Sequence, residues 1–218
     1  MNLAGVRVIA HRGNSAALPE NSMAAFRSAM TLGAHMIELD VHLSHDGFPV
    51  VIHDDTLDRT TTGSGPVARL RLSELRRLGL PILEDVLALP IPLNIELKTS
   101  AAMQSVLDLV GDRDDVLISS ADPDALDFLR RLDPSLTLAY LSSQEDCALV
   151  LERAIGAEAY AFNPAWPAVT RELVTAAHTA GLRIMPYTVN DPAEGRLLFS
   201  WGADAIFTDD PGRMLAIL

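Results

Sequence analysis

The sequence predicts an α/β protein: a single eight-stranded parallel β/α (TIM) barrel with a hairpin and loop inserted after the second strand. Three observations carry that expectation. Eight short apolar runs alternate with amphipathic stretches along the 218 residues, which is the cadence of repeated β/α units. No composition break or linker divides the chain, so 1–218 reads as one domain. The competing arrangement, a doubly wound open sheet, would want a Gly-rich turn after its first strand, and none is there.

Strand one is read at 6–12, and Met23, Phe26 and Met30 follow it at helical spacing. Strand two covers 35–43. The others are read at 91–98, 116–120, 136–141, 159–163, 183–189 and 204–208. Three helices are announced by Asp-Pro, at Asp122-Pro123, Asp191-Pro192 and Asp210-Pro211. Aspartate accepts from the first free N–H groups of a helix, and proline at the first helical position gives up a donor that was unpaired anyway. Asp133-Pro134 instead belongs to the turn after a helix. The irregular stretch is 44–90, with a hairpin in "HDGFPVVIHD" and then "RTTTGSGPV", whose Gly and Thr content suits an ordered loop over the barrel mouth.

Composition narrows the function. Hydrophobic residues make up 49% of the chain, which suits a compact globular protein. A single cysteine, Cys147, excludes an internal disulfide and a cysteine-based metal cluster and fits a reducing compartment. The first residues lack the pattern of a signal peptide, and no run of 18 apolar residues exists. The formal charge of −12 opposes general nucleic-acid binding. The expectation is a soluble cytoplasmic protein with a small-molecule partner, no nucleic acid and no stable membrane insertion.

In a β/α barrel the site lies at the C-terminal ends of the strands. On strand two, period-two alternation sends Ile37, Leu39, Val41 and Leu43 outward and Glu38, Asp40 and His42 inward. On the next, Ile91, Leu93, Ile95 and Leu97 face out while Asn94, Glu96 and Lys98 face in. Lys98 is the only lysine in the chain. Carboxylates on neighbouring inward faces repel by roughly 3 kcal/mol at about 6 Å and an effective dielectric near 20. An ion-pair network with Lys98 and Arg12 could absorb that repulsion. A bound cation does so more fully, and all-oxygen ligands select Mg²⁺ or Ca²⁺ over zinc. If Asp46-Gly47 centres a two-residue or four-residue loop, paired hairpin positions set His53 opposite Asp40, a register that a three-residue loop would break. His11 and Arg12 end strand one and reach the same mouth. Cations matched to a phosphoryl group, carboxylates to a metal and histidines to proton transfer together make a mixed site.

These residues resemble the glycerophosphodiester phosphodiesterase family. "AHRG", "PENS", "IELDVHLSHDGFPVVIHD", "RTT", "NIELK", "YTVN" and "FTDDPG" occur in the family's order across nearly the whole chain. The resemblance implies a barrel enzyme that hydrolyses glycerophosphodiesters with a divalent metal, in lipid and glycerol metabolism. It implies His11 and His53 as the acid/base pair and Glu38, Asp40 and Glu96 as metal ligands. Arg12 and Lys98 would hold phosphate oxygens. It is consistent with attack by the vicinal glycerol hydroxyl through a cyclic phosphate. Tyr187 in "YTVN" stands where tryptophan is usual and would keep an aromatic wall for substrate. Asn21 reads as a helix cap or support, and the segment after "RTT" is shorter than usual. His45 reads as solvent-facing, and His35, His42 and His178 as structural.

Three rival readings remain on the sequence. An amidohydrolase would want a His-x-His pair on strand one, where only His11 stands. A lipid phosphodiesterase of the lysophospholipase D or sphingomyelinase D kind shares much of this site, but would want an apolar rim for a membrane surface. A non-catalytic binding barrel would have had little reason to keep all seven polar residues.

Overall fold

The structure, a computed structural model, describes Leu3 and residues 5–143 and 145–218. Its strands are β1 (Val8–Ala10), β2 (Met36–Leu43), β3 (Pro49–Val51), β4 (Leu93–Leu97), β5 (Val116–Ser120), β6 (Leu138–Ser142), β7 (Ala161–Pro164), β8 (Arg183–Ile184) and β9 (Ile206–Thr208). Eight of them are parallel neighbours in the order β8-β7-β6-β5-β4-β2-β1-β9, and β3 pairs antiparallel with β2. Hydrogen bonds from Asp204 N to Ile184 O (2.9 Å), Phe207 N to Pro186 O (2.9 Å) and Val189 N to Phe207 O (2.8 Å) join the last strand to the β8 segment and close the ring. The barrel expected from the cadence is the observed fold.

Helices lie outside the ring between strands. Helix α1 (Met23–Leu32) follows β1, with Ser22 capping it by accepting from Ala25 N. The three Asp-Pro helix starts form as read: Asp122, Asp191 and Asp210 each accept from first-turn amides. Asp133 closes the helix before it and takes the amide and hydroxyl of Ser135.

Strand parity sorts the core. Ile37, Leu39, Leu93, Ile95, Ile118 and Phe162 point outward against the helices and are sealed from solvent. Each such side chain contributes roughly 1.5–3 kcal/mol by leaving water. Ile9, Met36, Leu117, Ala139, Ala161 and Met185 plug the inside of the ring. Farther along β2 and β4 the inward positions change character, from Met36 to Glu38 and Asp40 and from Asn94 to Glu96. The apolar plug supports a polar floor.

Several strand ends move by one or two residues from the sequence reading, β1 among them, which ends at Ala10 and leaves His11 and Arg12 in the turn beyond it, and three differences are larger. Regular pairing in β8 ends at Ile184, not 189, because Pro186 has no N–H for the ladder, although Met185 and Tyr187 still donate to Phe162 and Pro164. The stretch 44–90 is more than a hairpin and loop. It folds two short helices, α2 (Leu72–Arg77) and α3 (Leu83–Leu87), and buries its own cluster of Val50, Ile52, Leu57, Val67, Leu75, Leu80 and Ile82.

The hairpin register is the third difference, and it corrects the sequence argument for His53. Leu43 pairs with Pro49, His42 with Val50 and Val41 with Val51, so Asp40 meets Ile52, not His53. Ser44 N donates to Phe48 O, which leaves a three-residue loop, His45 to Gly47, with Gly47 at φ +87°. A turn followed by a left-handed glycine is the favoured three-residue hairpin, and it shifts the partner by one.

Candidate active site

At the C-terminal end of the ring a cavity of about 220 Å³ is lined by His11, Arg12, Glu38, His53, Asn94, Glu96 and Lys98 on its polar side. Leu141, Tyr187 and Phe207 form an apolar wall. The rings of Tyr187 and Phe207 meet edge to face at 6.5 Å, and the Tyr187 hydroxyl donates to Ser142 O (3.0 Å). Asp40 does not line this cavity. It lies behind it, fully buried, with its carboxylate beside those of Glu38 and Glu96. A larger hollow of about 370 Å³ at the opposite end of the barrel is lined by Asp112, Arg113, Asp114 and Asp133 but by no histidine, and among the described residues its carboxylates do not converge as those of Glu38, Asp40 and Glu96 do.

The "HRG" turn has a physical reason. Arg12 (φ +57°) and Gly13 (φ +82°) both take left-handed backbone as the chain leaves β1. A Cβ at Gly13 would lie 2.7 Å from the Ala25 carbonyl carbon, so only glycine lets the turn pass against α1. The turn aims Arg12 N at Glu38 Oε2 (2.8 Å) and sets Arg12 Nε 3.2 Å from Asp40 Oδ2. Asn21, also left-handed (φ +54°), donates from Nδ2 to Asp40 Oδ2 (2.8 Å). It supports the acidic residue rather than capping a helix.

Glu38, Asp40 and Glu96 each offer an oxygen, all within 4.8 Å of one another. Burial, then Asp40 and Glu96, push the Glu38 carboxyl well above the usual carboxylate range. Burial and then Asp40 raise Glu96. Lys98 Nζ donates to Glu96 Oε1 (2.7 Å) and lies 3.7 Å from Asp40 Oδ1. Burial opposes the charge on Lys98, but Glu96 and Asp40 outweigh it and raise its pKa. Even with these cations, Glu38 Oε1 and Asp40 Oδ1 stay buried without a hydrogen-bond partner. Such oxygens are costly unless something positive occupies the space between them. The donor set fits a hard divalent cation.

Each cavity histidine has a carboxylate behind it, which sequence reasoning missed. His11 Nδ1 donates to Asp209 Oδ1 (2.7 Å), and Asp209 is held by Ser15 Oγ (3.1 Å) and Asn190 Nδ2 (2.6 Å). Against the cost of burial, these hydrogen bonds, led by that from His11, lower Asp209 to about 2. His53 Nδ1 donates to Asp54 Oδ1 (2.7 Å). In both rings the carboxylate fixes the tautomer and leaves Nε2 for exchange with a bound molecule. The motifs "VIHD" and "FTDDPG" held the signal, but nothing local in the sequence paired Asp209 with a histidine 198 positions away.

The remaining histidines are placed without cavity contacts. His42, its pKa lowered by burial, donates from Nε2 to His53 O (3.0 Å) and braces the bend that carries His53. His35 Nδ1 accepts from Val8 N (3.1 Å), His178 pairs with Asp204 (2.9 Å), and His45 is exposed.

The sequence model of the glycerophosphoryl diester phosphodiesterase family matches residues 11–105 and 91–213. A glycerophosphodiester phosphodiesterase of Caldanaerobacter subterraneus subsp. tengcongensis is 34% identical, with 97% of each chain covered. One of Bacillus altitudinis is 35% identical at the same coverage. Among solved structures, a phosphodiesterase of Oleispira antarctica in complex with its product sn-glycerol-3-phosphate superimposes with a TM-score of 0.88 at 28% identity, over 97% of this chain and 96% of that one. The glycerophosphodiester phosphodiesterase of Thermotoga maritima gives 0.89 at 29% identity over 98% of each. With one family's pattern spanning both halves, and enzymes of that name aligned over nearly the full length, the chain belongs to the glycerophosphoryl diester phosphodiesterase family.

Proposed function

We propose that this enzyme hydrolyses glycerophosphodiesters to glycerol phosphate and an alcohol, with Mg²⁺ or Ca²⁺ held by Glu38, Asp40 and Glu96. The observation that carries the reading is the cavity itself. Two carboxylate-backed histidines line a space that also holds clustered acidic oxygens and two cations. A volume of about 220 Å³ is below that of most drug-sized pockets, which suits a glycerophosphoryl group with its alcohol directed to the mouth.

In this reading Arg12 and Lys98 hold the phosphoryl oxygens, and Leu141, Tyr187 and Phe207 pack against the glycerol carbons. A divalent ion held by Glu38, Asp40 and Glu96 would add positive charge to the site and so ease attack on phosphorus. One of His11 and His53 takes a proton from the attacking hydroxyl, and the other gives one to the leaving alcohol. The vicinal glycerol hydroxyl is the attacking group favoured by proximity, giving a cyclic phosphate that water then opens. The single Cys147 fits work in a reducing compartment such as the cytoplasm.

Turnover of glycerophosphocholine, glycerophosphoethanolamine and a long-chain lysolipid, each in chelator and with Mg²⁺, Ca²⁺ or Zn²⁺, tests the proposal. Glycerophosphodiesters turned over with Mg²⁺ or Ca²⁺ and not in chelator is the expected result. Preference for the lysolipid would instead favour the lipid phosphodiesterase reading, and full activity in excess chelator would refute the metal.

A further inference from the structure

The two histidine–carboxylate pairs are braced in different ways. Asp209 is held by the neutral donors Ser15 and Asn190. Asp54 is held by one guanidinium, that of Arg59, through Nε to Oδ2 (2.7 Å) and NH2 to Oδ1 (3.0 Å). The same guanidinium also grips Glu20, from NH1 to Oε2 (2.9 Å) and NH2 to Oε1 (2.7 Å). Glu20 in turn accepts from Arg12 NH1 (3.0 Å), and Arg12 reaches Asp40. A line of alternating charge therefore runs from the acidic cluster through Arg12, Glu20, Arg59 and Asp54 to the His53 ring.

Arg59 comes from the inserted stretch and Glu20 from the loop between β1 and α1, so the line joins two loops far apart in sequence. The Arg59 side chain is 48% exposed, and exposed ion pairs add little to stability. A planar fork with two carboxylates is, however, geometrically demanding. Hydrogen bonds from Arg59 and then His53 hold Asp54 well below the usual carboxylate range, so it stays an acceptor for the ring. Asp54 is adjacent to His53 in the chain, and among the described residues Arg59 is the one side chain besides His53 that hydrogen-bonds to it.

We infer that Arg59 is a positioning residue for the reaction: it fixes Asp54, and through Asp54 the His53 ring, relative to the loop that carries Arg12. The inference rests on the proton-transfer role proposed for His53. It assigns no substrate contact to Arg59, which is absent from the cavity lining.

The test compares Arg59→Gln, Arg59→Lys, His53→Ala and the Arg59→Gln/His53→Ala double variant of the full chain on glycerophosphocholine with Mg²⁺. Arg59→Gln should lower kcat by about 10–100-fold, the usual cost of losing a residue that orients a site ligand, while KM stays nearly constant. Arg59→Lys should recover part of that loss. In the His53→Ala background the same change should cost almost nothing, because its effect passes through the missing ring. Proton NMR gives a readout independent of turnover: the His53 Nδ1–H signal should broaden or vanish in Arg59→Gln while that of His11 persists. Equal losses in both backgrounds, or an unchanged kcat in Arg59→Gln, would overturn the inference. A fully active His53→Ala enzyme would overturn the acid–base reading itself, and the NMR signal would then still decide whether Arg59 holds the ring.

Discussion

Replacing Glu38 with glutamine should make the metal-free enzyme more stable and the metal-loaded enzyme less so. The three carboxylates offer oxygens within 4.8 Å of one another. At that distance two full charges repel by about 3.5 kcal/mol at an effective dielectric near 20. Glu38 faces two such neighbours and is offset mainly by Arg12. Wild type sheds part of this by taking up a proton, since burial and the neighbouring charges raise the Glu38 carboxyl. Glutamine keeps the shape and the acceptor for Arg12 N while removing the charge, for a gain of about 1–2 kcal/mol, or roughly 2–8 °C in Tm at this chain length.

The pH dependence has a definite sign. An acid whose folded pKa is raised costs nothing below its unfolded value, near 4.3 for Glu. The cost then grows with pH up to the folded value and levels off above it. In chelator, wild-type Tm should therefore fall as pH climbs above about 4, and Glu38→Gln should flatten part of that fall. Adding Mg²⁺ or Ca²⁺ should invert the order, because wild type gains about 2.7 kcal/mol at a hundredfold excess over Kd and the variant gains less. Calorimetric melting in chelator and across a metal titration reads both effects. A Glu38→Gln protein that melts below wild type in chelator at pH 8 would refute the argument that the cluster is strained.

Other expectations follow from the same geometry. His11→Ala and His53→Ala should each lose roughly 10²–10⁴-fold in kcat, and the double variant far less than the product, since the pair acts as a unit. Asp209→Asn should cost about 10²-fold or more in steady-state turnover, because an amide can present N–H to His11 Nδ1 and select the wrong tautomer. A substrate without the vicinal hydroxyl should bind but turn over far more slowly, and equal turnover in a competition assay would rule out the cyclic route in favour of direct attack by water.

Period-two alternation was enough to find the charged floor, because parity on β2 and β4 depends only on which residues alternate. Asp122, Asp191 and Asp210 were legible as helix starts for an equally local reason. His53 shows the limit of that reasoning. Its place was inferred from a register that the three-residue loop at Gly47 shifts by one. It still lines the cavity, because the chain leaves the ladder after Ile52 and bends. Asp209, Asn190, Glu20 and Arg59 were not legible as partners. Loop carboxylates and arginines are common, and what distinguishes these is proximity created by closing the ring. The core within 50–82 escaped notice because its apolar residues are spaced irregularly, matching neither period.

The charge at the floor of the site sets the order of binding. At a pH high enough to ionise all three, Glu38, Asp40 and Glu96 face Arg12 and Lys98, which leaves one net negative charge where a phosphodiester anion must approach. A divalent cation reverses that to one net positive charge. In a half-buried cavity such a reversal shifts the local potential by several kT, enough to decide whether an anion enters. Substrate and product should therefore bind weakly or not at all without metal, whereas the metal should bind well without substrate. Calorimetric titration of sn-glycerol 3-phosphate into wild type, in chelator and with Ca²⁺, reads this directly. Comparable affinity under both conditions would mean that Arg12 and Lys98 are free to hold the anion by themselves. In that case their contacts with Asp40 and Glu96 must break on binding, and Glu96→Gln, which frees Lys98, would tighten binding in chelator.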